Sequence, residues 1–195
     1  QKQGINFILG TKVIQVDLND KGVALLAESV NGGSQQKIDC DVVLVAVGRK
    51  PSTDNLGLEE LGVKRDKNGF LCVNDKLETS VANILAIGDC IPGPMLAHKA
   101  EEDGVAAVEM IAGGSAHIDH NLVPSIIYTH PEVASVGKTE EHLKSQNINY
   151  NVGKFPFSAN SRARANDDTN GFVKILADSV SDKILGVHII GPEAG

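Results

Sequence analysis

Two adjoining stretches decide the fold: Thr79-Ser-Val-Ala-Asn-Ile-Leu-Ala-Ile-Gly-Asp89, and then Gly93-Pro-Met-Leu-Ala-His98. The first predicts a buried strand over 84–87 that ends on glycine and delivers Asp89 to the carboxyl edge of a sheet, where ligands of open α/β folds bind. The second turns the chain so that the amino end of a helix points back to that edge. Free N–H groups at a helix start favour a negatively charged ligand. Taken alone, a strand ending in Gly-Asp is more typical of a tight turn closed by an aspartate side chain, but the attached helix favours a ligand site.

Further strands and one strong helix are predicted on either side of this segment. Residues 41–48 are β-branched or small and apolar, which is typical of a central strand covered on both faces. Residues 5–9, 13–18, 23–30 and 70–73 also favour strands, and 56–61 favours a short helix. Apolar residues at helical spacing, namely Ala100, Val105, Val108 and Ile111, predict a helix over 97–112 that ends at a glycine pair.

Beyond residue 123 the pattern becomes α+β. Strands are predicted over 125–128, 150–155, 171–176 and 184–190, with a helix over 138–146 and a hairpin loop over 179–183. The fold class is therefore α/β for the nucleotide-binding parts, in the form of partial Rossmann-like domains, followed by an α+β domain.

Bulk properties exclude several functions. The 195 residues carry a formal charge of −7, which argues against a nucleic-acid partner, and no apolar run approaches the length of a membrane span. The three cysteines, Cys40, Cys72 and Cys90, lack the short spacings of a redox pair or zinc site, so we interpret them as reduced, buried thiols.

The stretch from 79 to 98 resembles the second flavin-binding motif of the flavoprotein pyridine nucleotide-disulfide oxidoreductases. The resemblance implies that Asp89 binds the ribityl hydroxyls of FAD and that the backbone of Met95, Leu96, Ala97 and His98 meets its phosphate and flavin carbonyl region. A second stretch, Val45-Ala-Val-Gly-Arg-Lys-Pro51, resembles the end of the NAD-binding domain in this family.

In that second stretch, the resemblance implies that Gly48 contacts NAD. By the same matching, Val13, in Thr11-Lys-Val13, meets the adenine half of NAD. The alternative for this stretch is an ordinary exit from strand to loop.

Four longer stretches narrow the resemblance to the dihydrolipoyl dehydrogenase branch of the family. They are Asn55-Leu-Gly-Leu-Glu-Glu-Leu-Gly62, Met95-Leu-Ala-His-Lys-Ala-Glu-Glu-Asp-Gly104, Ile127-Tyr-Thr-His-Pro-Glu-Val133 and Val152-Gly-Lys-Phe-Pro-Phe157. This likeness implies an NAD-dependent oxidoreductase that uses FAD and NAD and forms a homodimer. It further implies lipoyl-bearing components of 2-oxo acid dehydrogenase complexes as partners, and the mitochondrial matrix, or the cytoplasm of a bacterium, as the compartment.

By the same resemblance, residues 1–50 end an NAD-binding domain, 51–120 form the second half of the FAD-binding region, and 121–195 form an interface domain that is incomplete at its carboxyl end. Several family motifs do not occur in the chain: the two GxGxxG fingerprints, the CxxxxC redox pair and the catalytic His-Glu pair. We therefore assign no catalytic and no metal-binding residue, and expect the isolated chain to be inactive. Another flavoprotein disulfide reductase, or a noncatalytic dimerisation or docking module, remains an alternative.

Remaining candidates receive structural interpretations. His130, before Pro131, is interpreted as a hydrogen-bonded turn residue, and Arg162 and Arg164 as part of a solvated loop. The carboxylates of residues 101–103 are interpreted as helix-start charges without a catalytic role.

Overall fold

A computed structural model describes residues 4–20, 22–116 and 118–195. The chain divides into two compact units, Gln1–Arg49 and Lys50–Gly195.

The first unit contains an antiparallel sheet of three strands among its described residues, in the order β1-β2-β3. The strands are β1 (Thr11–Asn19), β2 (Gly22–Ser29) and β3 (Gln35–Cys40). The central strand supplies the buried side chains, Ala24 and Ala27, which are 6% and 2% exposed. The strands predicted over 13–18 and 23–30 are confirmed, because alternating apolar residues bounded by turn residues specify such a meander locally.

The prediction of a buried central strand over 41–48 is wrong for this chain. These residues have no regular secondary structure, and Val42, Leu44, Val45 and Val47 are between 74% and 93% exposed. A strand needs a neighbouring strand to pair its backbone groups, and the described residues of this unit supply none beside this segment. Residues 5–9, predicted as a strand, are likewise without regular structure and exposed.

The first part of the second unit is built from turns around a small apolar core. The predicted strands over 70–73 and 84–87 are reduced to single bridges, Leu71 with Arg65 and Leu85 with Glu78, and the predicted helix over 56–61 is a series of turns. Seven buried side chains form the core: Leu58, Val63, Leu71, Leu77, Ala86, Ile91 and Ala107. The buried side chains of this part therefore lie on packed turns and one helix, because its strand-like segments form only single bridges.

That helix is α1 (Ala97–Ile111), which confirms the prediction over 97–112. Its buried face differs from the expected one. Val105, Val108 and Ile111 are 60%, 65% and 71% exposed, whereas the buried residues are Lys99, Asp103, Ala106 and Ala107. Apolar spacing identified the helix correctly but did not identify the side that packs on the core.

The rest of the second unit is an antiparallel sheet of five described strands in the order β4-β5-β8-β7-β6. They are β4 (Ser125–Ile127), β5 (Glu132–Gly137), β6 (Tyr150–Pro156), β7 (Phe172–Asp178) and β8 (Ile184–Gly191). Four of these strands were predicted. The fifth, β5, was missed: it follows Pro131 directly, and its pairing with β8 joins segments far apart in the sequence.

Two short helices accompany this sheet. The first, α2 (Glu140–Ser145), lies within the predicted helix over 138–146, and the Thr139 hydroxyl caps it by accepting the His142 N–H at 3.2 Å. The second, α3 (Ser161–Ala165), replaces the solvated loop predicted around the two arginines. Its cap is the side chain of Asn160, which accepts the Ala163 N–H at 3.0 Å. A single capping side chain is enough to convert such a loop into one helical turn.

Glu140 ties α2 to the sheet. Its carboxylate accepts hydrogen bonds from Lys174 on β7 at 2.9 Å and from the Tyr150 hydroxyl on β6 at 3.1 Å. These bonds, that from Lys174 first, hold the pKa of Glu140 below its ordinary value.

Replacing Glu140 with Gln is expected to lower the thermal midpoint by a few degrees at neutral pH, because a charge-assisted pair is lost. A carboxylate whose folded-state pKa is depressed stabilises the protein above its unfolded pKa, and this stabilisation is lost as the pH falls through the folded value. The difference in the free energy of unfolding between wild type and E140Q should therefore shrink as the pH falls from neutral to acidic. Urea unfolding across this pH range measures it, with E102Q on exposed Glu102 as the control. An equal difference at every pH would contradict the assignment.

Candidate functional site

The candidate site is built around the backbone of Gly88, at the start of the single-turn 3-10 helix Gly88–Cys90. Its N–H donates to Asp103 Oδ2 at 3.0 Å, and its carbonyl oxygen accepts from Lys99 Nζ at 2.9 Å. Both partners lie on α1, one turn apart, and form an ion pair with each other at 2.7 Å. Their side chains are 1% and 0% exposed, so α1 holds the peptide groups of Gly88 through a fully buried pair.

The buried pair is electrostatically self-consistent. Charges removed from water require both an opposite charge and hydrogen bonds to their remaining polar positions, and Gly88 supplies these bonds to each partner. Burial alone raises the pKa of Asp103, but the hydrogen bonds from Lys99, His120 and the Gly88 N–H outweigh it and leave the pKa below its ordinary value. Asp103 is therefore a carboxylate at neutral pH.

His120 completes this buried cluster from a distant part of the chain. Its Nε2 donates to Asp103 Oδ1 at 3.0 Å, so both carboxylate oxygens are held. The opposite side of its ring faces the turn before α1: a Cβ on Gly93 would lie 3.2 Å from His120 Nδ1 and 3.3 Å from Lys99 Cε. Gly93 also has a φ of +129°, which glycine adopts without strain. The turn at 92–94 therefore packs directly against Lys99 and His120 of the buried cluster.

The sequence interpretation of Asp103 is therefore wrong. We interpreted Asp103 as a helix-start charge without a catalytic role, yet it lies in the interior and α1 has no acidic residue in its first turn. The signal available in the sequence was the spacing of four between Lys99 and Asp103, which places the two side chains on one face of a helix. No local pattern pointed to His120, because its partner is 17 residues away.

The turn Gly88–Cys90, which carries Asp89, lies against α1, and α1 begins at Ala97 directly after Met95 and Leu96. Asp89 follows the clamped Gly88 and is exposed. A Cβ on Gly88 would lie 3.1 Å from the Ala100 Cβ, so this backbone lies against the first turn of the helix. Met95 and Leu96 are half-buried, and Ala97 and His98 are exposed.

The amino end of α1 has no side-chain cap among the residues that the structure describes, although the helix is 15 residues long. Its first-turn N–H groups therefore remain suited to an external acceptor beside Asp89. The His98 ring points elsewhere: its Nε2 donates to the Pro124 carbonyl oxygen at 2.8 Å, which fastens the helix start to the segment entering β4.

The two residues matched to NAD lie in the other unit. Val13 is in β1, paired with Ala27, and is 55% exposed. The register of β1 shifts directly after it, between Val13 and Gln15. Gly48 has a φ of +103°, and a Cβ added to it would meet no atom within 4 Å. The backbone at Gly48 is therefore open to approach.

Other candidates take structural roles. Cys90 donates its thiol to the Ile87 carbonyl at 3.0 Å. The predicted burial of the cysteines is wrong, because Cys40 and Cys90 are only half-buried and Cys72 is exposed. His130 precedes a cis proline, Pro131, in a turn. Arg162 and Arg164 lie in the last turn of α3, and Arg162 borders a pocket of about 290 Å³.

Two kinds of site were also sought in the part of the chain that the structure describes. No group of three or more His, Cys, Asp or Glu side chains there could hold a metal ion. Among those same residues, no helix has both the length and the apolar character needed to cross a membrane.

A groove of about 830 Å³ runs along α1 beside the buried cluster. Its walls come from α1 and from the segment that leads to β4, and they carry the acidic side chains Glu102, Glu109 and Asp119 as well as apolar ones.

Two family models together account for most of the chain. The model described as pyridine nucleotide-disulphide oxidoreductase matches residues 1–104, and the model of the dimerisation domain of the same family matches residues 123–195. The first match ends within α1, and the second begins two residues before β4.

Curated relatives match the chain from end to end. Dihydrolipoyl dehydrogenase 2, mitochondrial, of Arabidopsis thaliana is 58% identical over 195 residues. The mitochondrial dihydrolipoyl dehydrogenases of Sus scrofa and Homo sapiens are 57% and 56% identical over 196 residues. In each comparison the whole chain is covered but only 38% of the relative, so the chain spans well under half the length of these relatives.

Solved structures give the same picture at lower identity. LpdA from Mycobacterium tuberculosis superposes with a TM-score of 0.85 at 25% identity, covering 99% of this chain and 41% of that one. The HOCl-induced flavoprotein disulfide reductase RclA of Escherichia coli, as its Cu(II) complex, gives a TM-score of 0.83 at 25% identity, covering 99% and 43%. On these matches, the chain belongs to the pyridine nucleotide-disulphide oxidoreductase family.

Proposed function

We propose that this chain is part of a dihydrolipoyl dehydrogenase, an enzyme that oxidises protein-bound dihydrolipoamide with NAD⁺ through FAD and a redox disulfide. The observation that carries the proposal is the end-to-end match, at 56–58% identity, to mitochondrial dihydrolipoyl dehydrogenases. We divide the chain into part of an NAD-binding domain (1–50), part of the FAD-binding region (51–120) and an interface domain (121–195).

Asp89 and residues 95–98 would hold the flavin cofactor. A carboxylate accepts hydrogen bonds from sugar-alcohol hydroxyls, and an uncapped start of a 15-residue helix favours phosphate or a ring that becomes anionic. FAD would supply the relay of two electrons between thiols and a nicotinamide. The chain's own part is to present one acceptor side chain and several N–H donors on a backbone fixed by Lys99 and Asp103.

Gly48 and Val13 would contribute to the NAD site. Support comes from the open backbone at Gly48, where the lack of a side chain leaves room for a flat ring system. Val13 is half-exposed on β1, next to the register shift, and would meet the adenine half.

The interface domain would form a homodimer, in keeping with the match of residues 123–195 to a dimerisation domain. Its described surface carries large exposed apolar side chains, such as Leu122 at 68%, Ile127 at 57% and Tyr128 at 79%, and exposed apolar surface of this kind marks protein contacts. The partners of the complete enzyme would be lipoyl-bearing components of 2-oxo acid dehydrogenase complexes, and its compartment the mitochondrial matrix, as the names of its relatives suggest.

Replacing Asp89 with Ala in the full-length polypeptide is expected to raise the dissociation constant for FAD by about 10- to 100-fold, because hydrogen bonds to a charged acceptor are lost. Flavin fluorescence during titration of the apoprotein measures it. The matched control is D75A, the same change at an exposed aspartate in another turn. Equal FAD affinity in D89A and wild type would remove Asp89 from the site.

The isolated 195-residue chain is expected to show no lipoamide reduction and no NADH oxidation with added FAD, because the cysteine pair and the His-Glu pair of the family are not in it. Absorbance at the NADH band during incubation with FAD and an electron acceptor provides the measurement. A clear FAD-dependent rate from purified chain would contradict this assignment of roles.

A noncatalytic dimerisation or docking module is the second candidate, favoured by the exposed apolar residues of the interface domain. Sedimentation of residues 123–195 separates the two. A dimer that forms without FAD and is unchanged by it would support the module, whereas self-association that requires the flavin-binding half supports the enzyme.

The third candidate, another flavoprotein disulfide reductase, is distinguished by substrate: it would reduce a disulfide other than lipoamide.

A further inference from the structure

We propose that Lys99, Asp103 and His120 are positioning residues that set the affinity for flavin by fixing the Gly88 peptide groups beneath Asp89. This inference rests on the proposed function, since it concerns the site assigned there to FAD. None of the three side chains is assigned to touch the cofactor.

The first step concerns how the backbone is held. The Gly88 N–H and carbonyl oxygen each bind one member of a buried ion pair, at 3.0 and 2.9 Å. Any rotation of either peptide group would leave a charge in the interior with an unsatisfied hydrogen-bonding position, which is costly. Gly88 has a φ of +71° and packs on Ala100, so little other freedom remains to it. The direction in which the chain enters Asp89 is thereby fixed.

The second step concerns His120. Asp103 Oδ2 binds Lys99 and Gly88, and among the hydrogen bonds of the described residues only that from His120 Nε2, at 3.0 Å, holds Oδ1. Loss of this donor would leave a buried carboxylate oxygen unsatisfied and let the group turn about its Cβ–Cγ bond. The His120 ring also packs against the backbone of Gly93. The same ring therefore supports the backbone on both sides of the site, near residue 88 and before residue 95.

The third step concerns burial. Lys99 and Asp103 are 1% and 0% exposed, so a ligand in front of Asp89 cannot reach them directly. Their influence on a ligand must pass through the backbone that they bind. His120 is 30% exposed, so its side chain lies at the edge of the cluster, between the ion pair and solvent.

The experiment compares His120→Leu with His120→Gln in the full-length polypeptide. Leu cannot donate to Asp103, and we expect the dissociation constant for FAD to rise about tenfold. The Gln amide donates from a similar position, and we expect an affinity within about threefold of wild type. The matched control is H142L, the same change at an exposed histidine of α2. Flavin fluorescence gives the affinity, and the visible absorption band of bound flavin reports its surroundings.

A charge-free variant gives a second, independent test. Lys99→Met leaves Asp103 buried without its cation and should lower both thermal stability and FAD affinity. Adding Asp103→Leu removes the second charge and should recover thermal stability, since an apolar pair can replace a buried ion pair. The FAD affinity of the double variant should stay at least about tenfold weaker, because Gly88 remains without its partners. A double variant that recovers both would show a purely structural role and overturn the inference.

The outcomes separate the two proposals. If wild-type protein binds no FAD, the proposed function and the inference fall together. If wild type binds FAD and H120L binds it equally well, with an unchanged flavin band, the inference alone is overturned. Weaker binding in H120L, recovered in H120Q and absent in H142L, supports it.

Discussion

The buried ion pair between Lys99 and Asp103 is the interaction on which the candidate site depends. It joins one turn of α1 to both polar groups of Gly88 and leaves neither charge without a partner. A pair of this kind contributes little net stability, because removing two charges from water offsets their attraction. Its consequence is geometric: only one arrangement of helix and backbone satisfies all four groups at once.

Sequence patterns predicted the parts of the fold that are determined locally. The meander of the first unit, α1, and the hairpin of β7 and β8 follow from alternation, helical spacing and turn residues. In that hairpin the Asp178 carboxylate accepts the N–H of Ser181 at 2.8 Å and of Val180 at 3.1 Å, so the turn is fixed by a residue within it. Strands such as β5 pair with a strand far along the chain, so their own residues predict them less well.

Burial was the property that the sequence predicted worst, for a physical reason. A run such as 41–48 is apolar on both faces, but it is buried only where neighbouring strands cover it. On α1 the error was reversed: Val105 and Val108 are exposed while Lys99 and Asp103 are buried. Hydropathy treats each charge as a surface residue, whereas two opposite charges one turn apart can enter the interior together. His120 could not be foreseen, since its contact is made in space.

The residues that fix the backbone of this site are different from those that would contact a ligand. The charges of Lys99 and Asp103 cancel at 2.7 Å, so the cluster adds almost no net field at the front of α1. In the proposed assignment, a ligand would meet the carboxylate of Asp89 and the N–H groups of an uncapped helix start. A ligand that is both rich in hydroxyls and anionic would then satisfy both, whereas a simple anion would be repelled by Asp89. The charge-paired residues behind them would leave the selectivity to these two groups.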